Sequence, residues 1–238
     1  MSISLLDYCD YTSLKDGQSD DLGAINEILS QAGKLPVGFC TWQQHVPVLA
    51  GLSAVNAVKI KSIVANFPHG TGDLGSFEAD LKAANLDPAI QEIDFVFDWQ
   101  AWAAGDKEAA VAKTAAARAL VPNKRFKVIV ESGQAQSPEA VCEIAEALLR
   151  NVQIDFLKTS TGKTAVGATT EAVAAFLKAM EKTGVTCGVK VSGGVRTEEA
   201  AMGYYNQVAS FLGKEVLTAM DFRIGTSTLF NGQAAADY

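Results

Sequence analysis

The chain has 238 residues, 48% of them hydrophobic and 20% charged, with a formal net charge of −7. No apolar run approaches the ~18 residues that a membrane span needs, and the negative balance opposes the basic surface on which nonspecific nucleic-acid binding depends. Cys9, Cys40, Cys142 and Cys187 form no C-x-x-C pair and fit no zinc spacing, so they read as reduced thiols. Met1 to Asp10 has no basic stretch and carries Asp7 and Asp10; the expectation is a cytoplasmic protein without a signal peptide.

The first candidate strand is the short run Tyr8 to Tyr11. Leu22, Ile25, Leu29 and Ala32 then share one face of a helix. Strand-like runs follow at Gly38 to Trp42, Ile60 to Phe67, Ile93 to Phe97 and Phe126 to Val130. The next helix opens with Ser137, Pro138 and Glu139 and gathers Val141, Ile144, Ala145 and Leu148 on one face. After the run Ile154 to Leu157, Thr170 and Glu171 signal another helix. Its apolar face is Val173, Phe176, Leu177 and Met180, and Gly184 stops it. The series closes with Cys187 to Val191, a helix from Thr197, Glu198 and Glu199 to Gly213, and Phe222 to Ile224.

These runs are short, β-branched or aromatic, and apolar on both faces, as parallel strands covered by helices are. Eight of them with no composition break predict a single-domain α/β fold, a (β/α)8 TIM barrel over 1–238, near that fold's typical ~250 residues. A short tail, about 231–238, is expected to be flexible. A doubly wound open sheet is the alternative, but no G-x-G-x-x-G follows the first strands. In a barrel, chemistry belongs at the C-terminal ends of the strands.

Lysines stand at those ends. Lys158 closes Asp155-Phe156-Leu157 and is followed by Thr159-Ser160-Thr161-Gly162-Lys163; Lys190 interrupts Gly188-Val189-Lys190-Val191-Ser192-Gly193-Gly194. A lysine amid apolar neighbours is costly to bury. Two on adjacent strands would disfavour each other's charge, and burial pushes the same way. One amine can then be neutral and attack a carbonyl. Rim lysines snorkelling to solvent are the plainer alternative. Asp94, inside Ile93 to Phe97, needs a cation and could relay protons. Asp10 is a weaker candidate, with a turn or capping role close behind. Lys127 would either support Asp94 or line the barrel wall.

Ser192-Gly193-Gly194-Val195-Arg196 and Gly225-Thr226-Ser227-Thr228 offer an anion seat, because glycines expose backbone N–H groups and hydroxyls donate further bonds. Loops after strands 7 and 8 are the usual phosphate seat of this fold. His45 and His69 are the two histidines, too few on their own for a metal site, and His69 reads as a loop-structuring residue. Cys40 reads as a buried inert thiol, with reaction toward enals as the alternative.

Together these residues make the chain resemble deoxyribose-phosphate aldolase over nearly its whole length. The landmarks are Asp10-Tyr11-Thr12-Ser13-Leu14, Cys40, Val64 to Gly70, Glu92-Ile93-Asp94, Lys127 to Gly133, Phe156 to Lys163, Lys190 to Arg196 and Phe222 to Ser227. Lys-Thr-Ser-Thr-Gly-Lys is the specific block. The resemblance implies a metal-free class I aldolase without cofactor, acting on a small sugar phosphate and aldehydes: it reversibly cleaves 2-deoxy-D-ribose 5-phosphate into acetaldehyde and D-glyceraldehyde 3-phosphate. It gives Lys158 the Schiff base, Lys190 the perturbation of that amine, and Asp94 the proton transfer. It gives phosphate binding to Gly162, Lys163, Gly193, Gly194, Gly225 and Ser227. Asp10, Cys40, Lys127 and Thr159 take supporting places, and the terminal Tyr238 is a candidate proton carrier. A homodimer is a family-level expectation. The chain departs from the family pattern at Trp42-Gln43-Gln44, where Tyr-Pro and a basic residue are expected, and at Val191-Ser192, where some members carry Pro-Ala. Two other readings remain at this point: a lysine-dependent barrel aldolase with another substrate, and a catalytically silent sugar-phosphate sensor.

Overall fold

The structure, a computed structural model, describes residues 3–15 and 22–227. Its main elements are β1 (Cys9–Thr12), α1 (Leu22–Gln31), β2 (Gly38–Thr41), α2 (Val46–Leu49), α3 (Ser53–Ala57), β3 (Ile60–Ala65), α4 (Leu74–Leu86) and β4 (Glu92–Val96). They continue with α5 (Trp99–Ala103), α6 (Lys107–Leu120), β5 (Arg125–Ile129), α7 (Pro138–Asn151), β6 (Phe156–Lys158), α8 (Thr170–Thr183), β7 (Gly188–Ser192), α9 (Glu198–Leu212) and β8 (Phe222–Thr226). All eight strands pair in parallel in chain order, and β8 returns to β1, closing a (β/α)8 TIM barrel in a single domain.

Successive side chains of a strand point to opposite faces, and the barrel uses the two faces differently. Ile63, Ile93, Phe95, Phe126, Val128, Leu157, Val189, Val191, Phe222 and Ile224 are fully buried in one apolar shell with the inner faces of α4, α6, α7, α8 and α9. Alternate positions carry Asp10, Glu92, Asp94, Lys127, Lys158, Lys190 and Arg223, equally buried and joined by ion pairs inside the barrel. The hydrophobic core is therefore a ring between sheet and helices, and the lumen is polar.

Glycine makes room for the long charged side chains. A Cβ on Gly38 of β2 would lie 2.0 Å from Asp10 Oδ1, and one on Gly188 of β7 would lie 2.3 Å from the Phe156 ring. Gly38→Ala is accordingly expected to displace Asp10 and destabilise the fold by about 1–3 kcal/mol, the usual range for overpacking; a thermal melt checks it, and an unchanged Tm would contradict it.

Helix ends follow their sequence signals. Ser137 and Thr197 cap α7 and α9 by accepting from Ala140 N–H and Ala200 N–H, and Gly184 and Gly213 end α8 and α9 in the left-handed conformation. Four corrections apply. Thr169, not Thr170, caps α8 by accepting from Ala172 N–H; either hydroxyl could serve, and the chain places the earlier one. Gly225 and Thr226 belong to β8 and do not follow it. Several strands are offset by one or two residues from their apolar runs; β6 begins at Phe156 and ends at Lys158, because Asp155 bonds Phe126 N–H before the ladder starts. The short helices α2, α3 and α5 had no periodicity long enough to read. Among the described residues no helix is long and apolar enough to cross a membrane. The expected tail, 231–238, lies outside the described residues.

Candidate active site

Register places the two lysines side by side. Lys158 closes β6 opposite Lys190 of β7, and Lys127 of β5 pairs with Asp94 of β4. All four side chains turn inward and meet at the Asp94 carboxylate. Its Oδ1 accepts from Lys127 Nζ at 2.6 Å, while its Oδ2 accepts from Lys158 Nζ at 2.7 Å and from Lys190 Nζ at 2.8 Å. Lys190 Nζ also donates to Asp10 Oδ2 at 2.6 Å. None of the five residues is more than 1% exposed.

The three lysines differ in their surroundings. Burial pushes the Lys158 amine below its ordinary value; Asp94 resists, and Lys190 adds to the fall. Burial also opposes the charge on Lys190, but Asp10 and Asp94 outweigh it and hold that ammonium above its ordinary value. Lys127 likewise stays high, because Asp94 and Glu92 overcome its burial. The expectation that the lysine pair would depress both amines is therefore corrected. Lys190 has two carboxylates and keeps its proton, whereas Lys158 shares one carboxylate with two other cations. Asp94 is buried against its charge, yet Lys127, Lys158 and Lys190 hold its carboxyl well below the usual range.

Asp10 is no turn or cap residue. Arg223 Nη1 donates to its Oδ1, and burial of its charge is outweighed by Arg223 and Lys190, which lower its carboxyl below the usual range. Arg223 and Glu92 fall within landmark stretches of the sequence but were given no role there. Arg223 Nη2 donates to Glu92 Oε1 at 3.1 Å, and Lys127 Nζ lies 2.6 Å from Glu92 Oε2. The missed signal is the one that exposed Asp94, a charge at an inward strand position. Cys40 of β2 is buried beside these groups, and burial, with Asp94 next, raises its thiol, so the inert reading fits.

Above the cluster, the loops after β6 and β7 lie back to back. Gly162, Gly193 and Gly194 have φ of 80°, 80° and 77°, the left-handed region that glycine enters without strain. A Cβ on Gly193 would fall 2.9 Å from Gly167 Cα, and Ala168 N–H donates to Gly193 O at 3.0 Å. Thr159 Oγ1 donates to Ser192 O and accepts from Ser192 N–H, tying the ends of β6 and β7 together. The buried Glu131, itself left-handed, receives the Thr161 hydroxyl and N–H and the Thr164 hydroxyl, which sets the loop that carries Lys163. That fold-back contact has no sequence signal. Lys163 and Ser227 stand exposed at the mouth. Gly225 lies deeper, where a Cβ would meet Ser192 Cβ at 2.9 Å and Lys190 Cε at 3.3 Å, so its bareness makes room for Lys190. His69 lines a separate cleft of about 400 Å³ with Trp42, Asn66 and Asp80, at the ends of β2 and β3. Among the described residues no group of three or more His, Cys, Asp and Glu side chains is arranged to hold a metal ion. Tyr238 lies outside the described residues.

This arrangement sets one buried amine, held below its ordinary value, beside an ammonium held above its own and a carboxylate, a layout that can support covalent carbonyl chemistry with proton transfer. Comparison with known proteins agrees with the fold. A protein of Toxoplasma gondii ME49, provisionally named deoxyribose-phosphate aldolase, is 22% identical over 93% of this chain and 88% of its own, with a TM-score of 0.80. QR15, described as an aldolase, is 26% identical over 95% of this chain and 92% of its own, with a TM-score of 0.76. The tetrameric deoxyribose phosphate aldolase of Aeropyrum pernix is 19% identical over 94% of this chain and 86% of its own, with a TM-score of 0.69. The pattern of the DeoC/LacD family aldolases matches residues 46–211, which include Asp94, Lys127, Lys158 and Lys190. The chain belongs to the DeoC/LacD family of aldolases.

Proposed function

We propose that the protein is a class I aldolase that reversibly cleaves 2-deoxy-D-ribose 5-phosphate into acetaldehyde and D-glyceraldehyde 3-phosphate through a Schiff base on Lys158. The observation that carries the reading is the Lys158 amine, buried, drawn below its ordinary value, and flanked by Asp94 and the charged Lys190.

In this reading neutral Lys158 attacks C1 of the open-chain aldehyde, and loss of water leaves an iminium. A water held by the Asp94 carboxylate and the Lys190 ammonium takes the C3 hydroxyl proton and passes its own toward Asp94. The C2–C3 bond then breaks, its electron pair moves toward the iminium as an enamine, and C3 becomes the aldehyde carbon of glyceraldehyde 3-phosphate. Protonation of the enamine carbon and hydrolysis release acetaldehyde and return the free amine. Gly162, Gly193 and Gly194 expose backbone N–H groups, and Lys163 and Ser227 add side-chain donors, for the phosphate.

Borohydride reduction in the presence of 2-deoxyribose 5-phosphate tests the central step. Peptide mapping is expected to find the reduced adduct on Lys158, and an adduct confined to another lysine would overturn the assignment. The phosphate seat has its own test: free deoxyribose is expected to lose on the order of a hundredfold in kcat/KM, since each hydrogen bond to a charged group contributes about 1.5–3 kcal/mol. Equal turnover of the two sugars would remove the phosphate from the reading.

A further inference from the structure

The lumen cluster continues below the reacting groups toward the N-terminal face of the barrel. Glu92, the first residue of β4, is fully buried. It faces Lys127 of β5 at 2.6 Å, Arg125 of β5 at 2.8 Å and Arg223 of β8 at 3.1 Å. Arg223 passes the contact to Asp10 of β1, and Asp10 to Lys190 of β7. Lys158 itself is faced by Asp94 of β4, Lys190 of β7 and Cys40 of β2. Glu92 and Lys158 thus share two intermediaries. One is Lys127, which bridges Glu92 and Asp94; the other is the run Arg223, Asp10, Lys190.

Within the lumen, Asp10, Glu92 and Asp94 stand against Lys127, Lys158, Lys190 and Arg223, three carboxylates against four bases. The set balances when one base is neutral. Every other base has a carboxylate beyond Asp94: Lys127 has Glu92, Lys190 has Asp10, and Arg223 has both Asp10 and Glu92. Lys158 has Asp94 alone among the described residues.

We propose that Glu92 is a positioning residue for the aldolase reaction: through its charge and its hold on Lys127 and Arg223 at the far end of the lumen, it sets the pH at which Lys158 loses its proton, without touching the reacting atoms. The inference rests on the Schiff-base reading of Lys158. Without Glu92, two carboxylates face the same bases, and Lys127 leans mainly on Asp94, with Asp10 farther off at 3.8 Å, which loosens the hold of Asp94 on Lys158. Both effects disfavour a charged Lys158. Loss of Arg125 works the other way, leaving the Glu92 charge less compensated.

The test is the pH dependence of adduct formation with acetaldehyde, trapped by borohydride and mapped to Lys158. Glu92→Gln is expected to move the acid limb of that profile down by roughly one pH unit, the size of a shift from one nearby charge. Arg125→Gln, at a side chain 38% exposed, is expected to move it up by a smaller amount. Opposite shifts cannot arise from general structural damage. If Glu92→Gln does not fold, the Arg125→Gln limb decides alone. An unmoved limb in the variants that fold, with the adduct still on Lys158, overturns the role of Glu92 and leaves the function standing. Absence of any adduct on Lys158 in the unaltered protein overturns the function instead.

Discussion

Lys158→Met is expected to abolish turnover, by a factor on the order of 10⁴ or more, as removal of a covalent nucleophile does elsewhere. The same variant should fold at least as well as the unaltered protein. Lys158 is a buried amine with a single carboxylate partner among the described residues, and that partner keeps Lys127 and Lys190 after the change. Methionine fills much of the same space without a charge to desolvate, and replacing a buried charge by an apolar group of similar volume is often neutral or stabilising. Paired measurements of kcat and Tm check this. Residual turnover within tenfold of the unaltered protein would show that the covalent step lies elsewhere. Lost activity together with a large fall in Tm would show that Lys158 is structural.

Asp94→Asn carries the opposite balance and the larger effect on stability. The substitution removes the carboxylate on which three buried lysines converge. Lys127 retains Glu92 and Lys190 retains Asp10, but all three ammonium groups lose neutralising charge. Breaking a buried pair on one side costs about 3–5 kcal/mol, which for a chain of this size corresponds to a fall in Tm of roughly 6–20 °C. Turnover should also fall, by about 10² to 10⁴, if Asp94 relays protons as proposed above. The pH dependence has a definite sign. Asp94 is held ionised well below the usual carboxylate range, so the unfolded chain takes up its proton first as pH falls. The stabilisation is complete above about pH 4 and drains away below that, toward the folded value. Acid unfolding of the unaltered protein should therefore steepen below pH 4, and the Asn variant should show a shallower acid slope. Superimposable acid profiles for the two proteins would refute the ion-pair account.

The barrel was legible because its strands are apolar on both faces and are separated by well-signalled helices, with Ser137, Thr197, Gly184 and Gly213 at the ends the sequence suggests. Lys158, Lys190 and Asp94 stood out because each interrupts an apolar run. Glu92 has the same inward placement but opens β4, so it borders the apolar run Ile93 to Phe97 and does not interrupt it. Arg223 sits in a run too short to show alternation. The sequence suggested like charges side by side, but not how carboxylates are shared among them. That distribution is set by which strands meet across the lumen; it holds Lys190 above its ordinary value, whereas burial draws Lys158 below its own. Glu131 was out of reach for a related reason: its partners Thr161 and Thr164 lie about thirty residues away, brought near only when β5 and β6 pair.

The division between a charged lumen and an apolar shell also limits how the chain can assemble. In a strand, a shift of one residue against its neighbour exchanges the two faces. For β5 such a slip would drive Lys127 into the greasy layer beneath the helices and turn Phe126 and Val128 toward carboxylates stripped of their counter-ions. The same holds for β7 around Lys190 and for β8 around Arg223. Each wrong alignment strands several ions at once, so the charged cluster also acts as a combination lock on strand pairing.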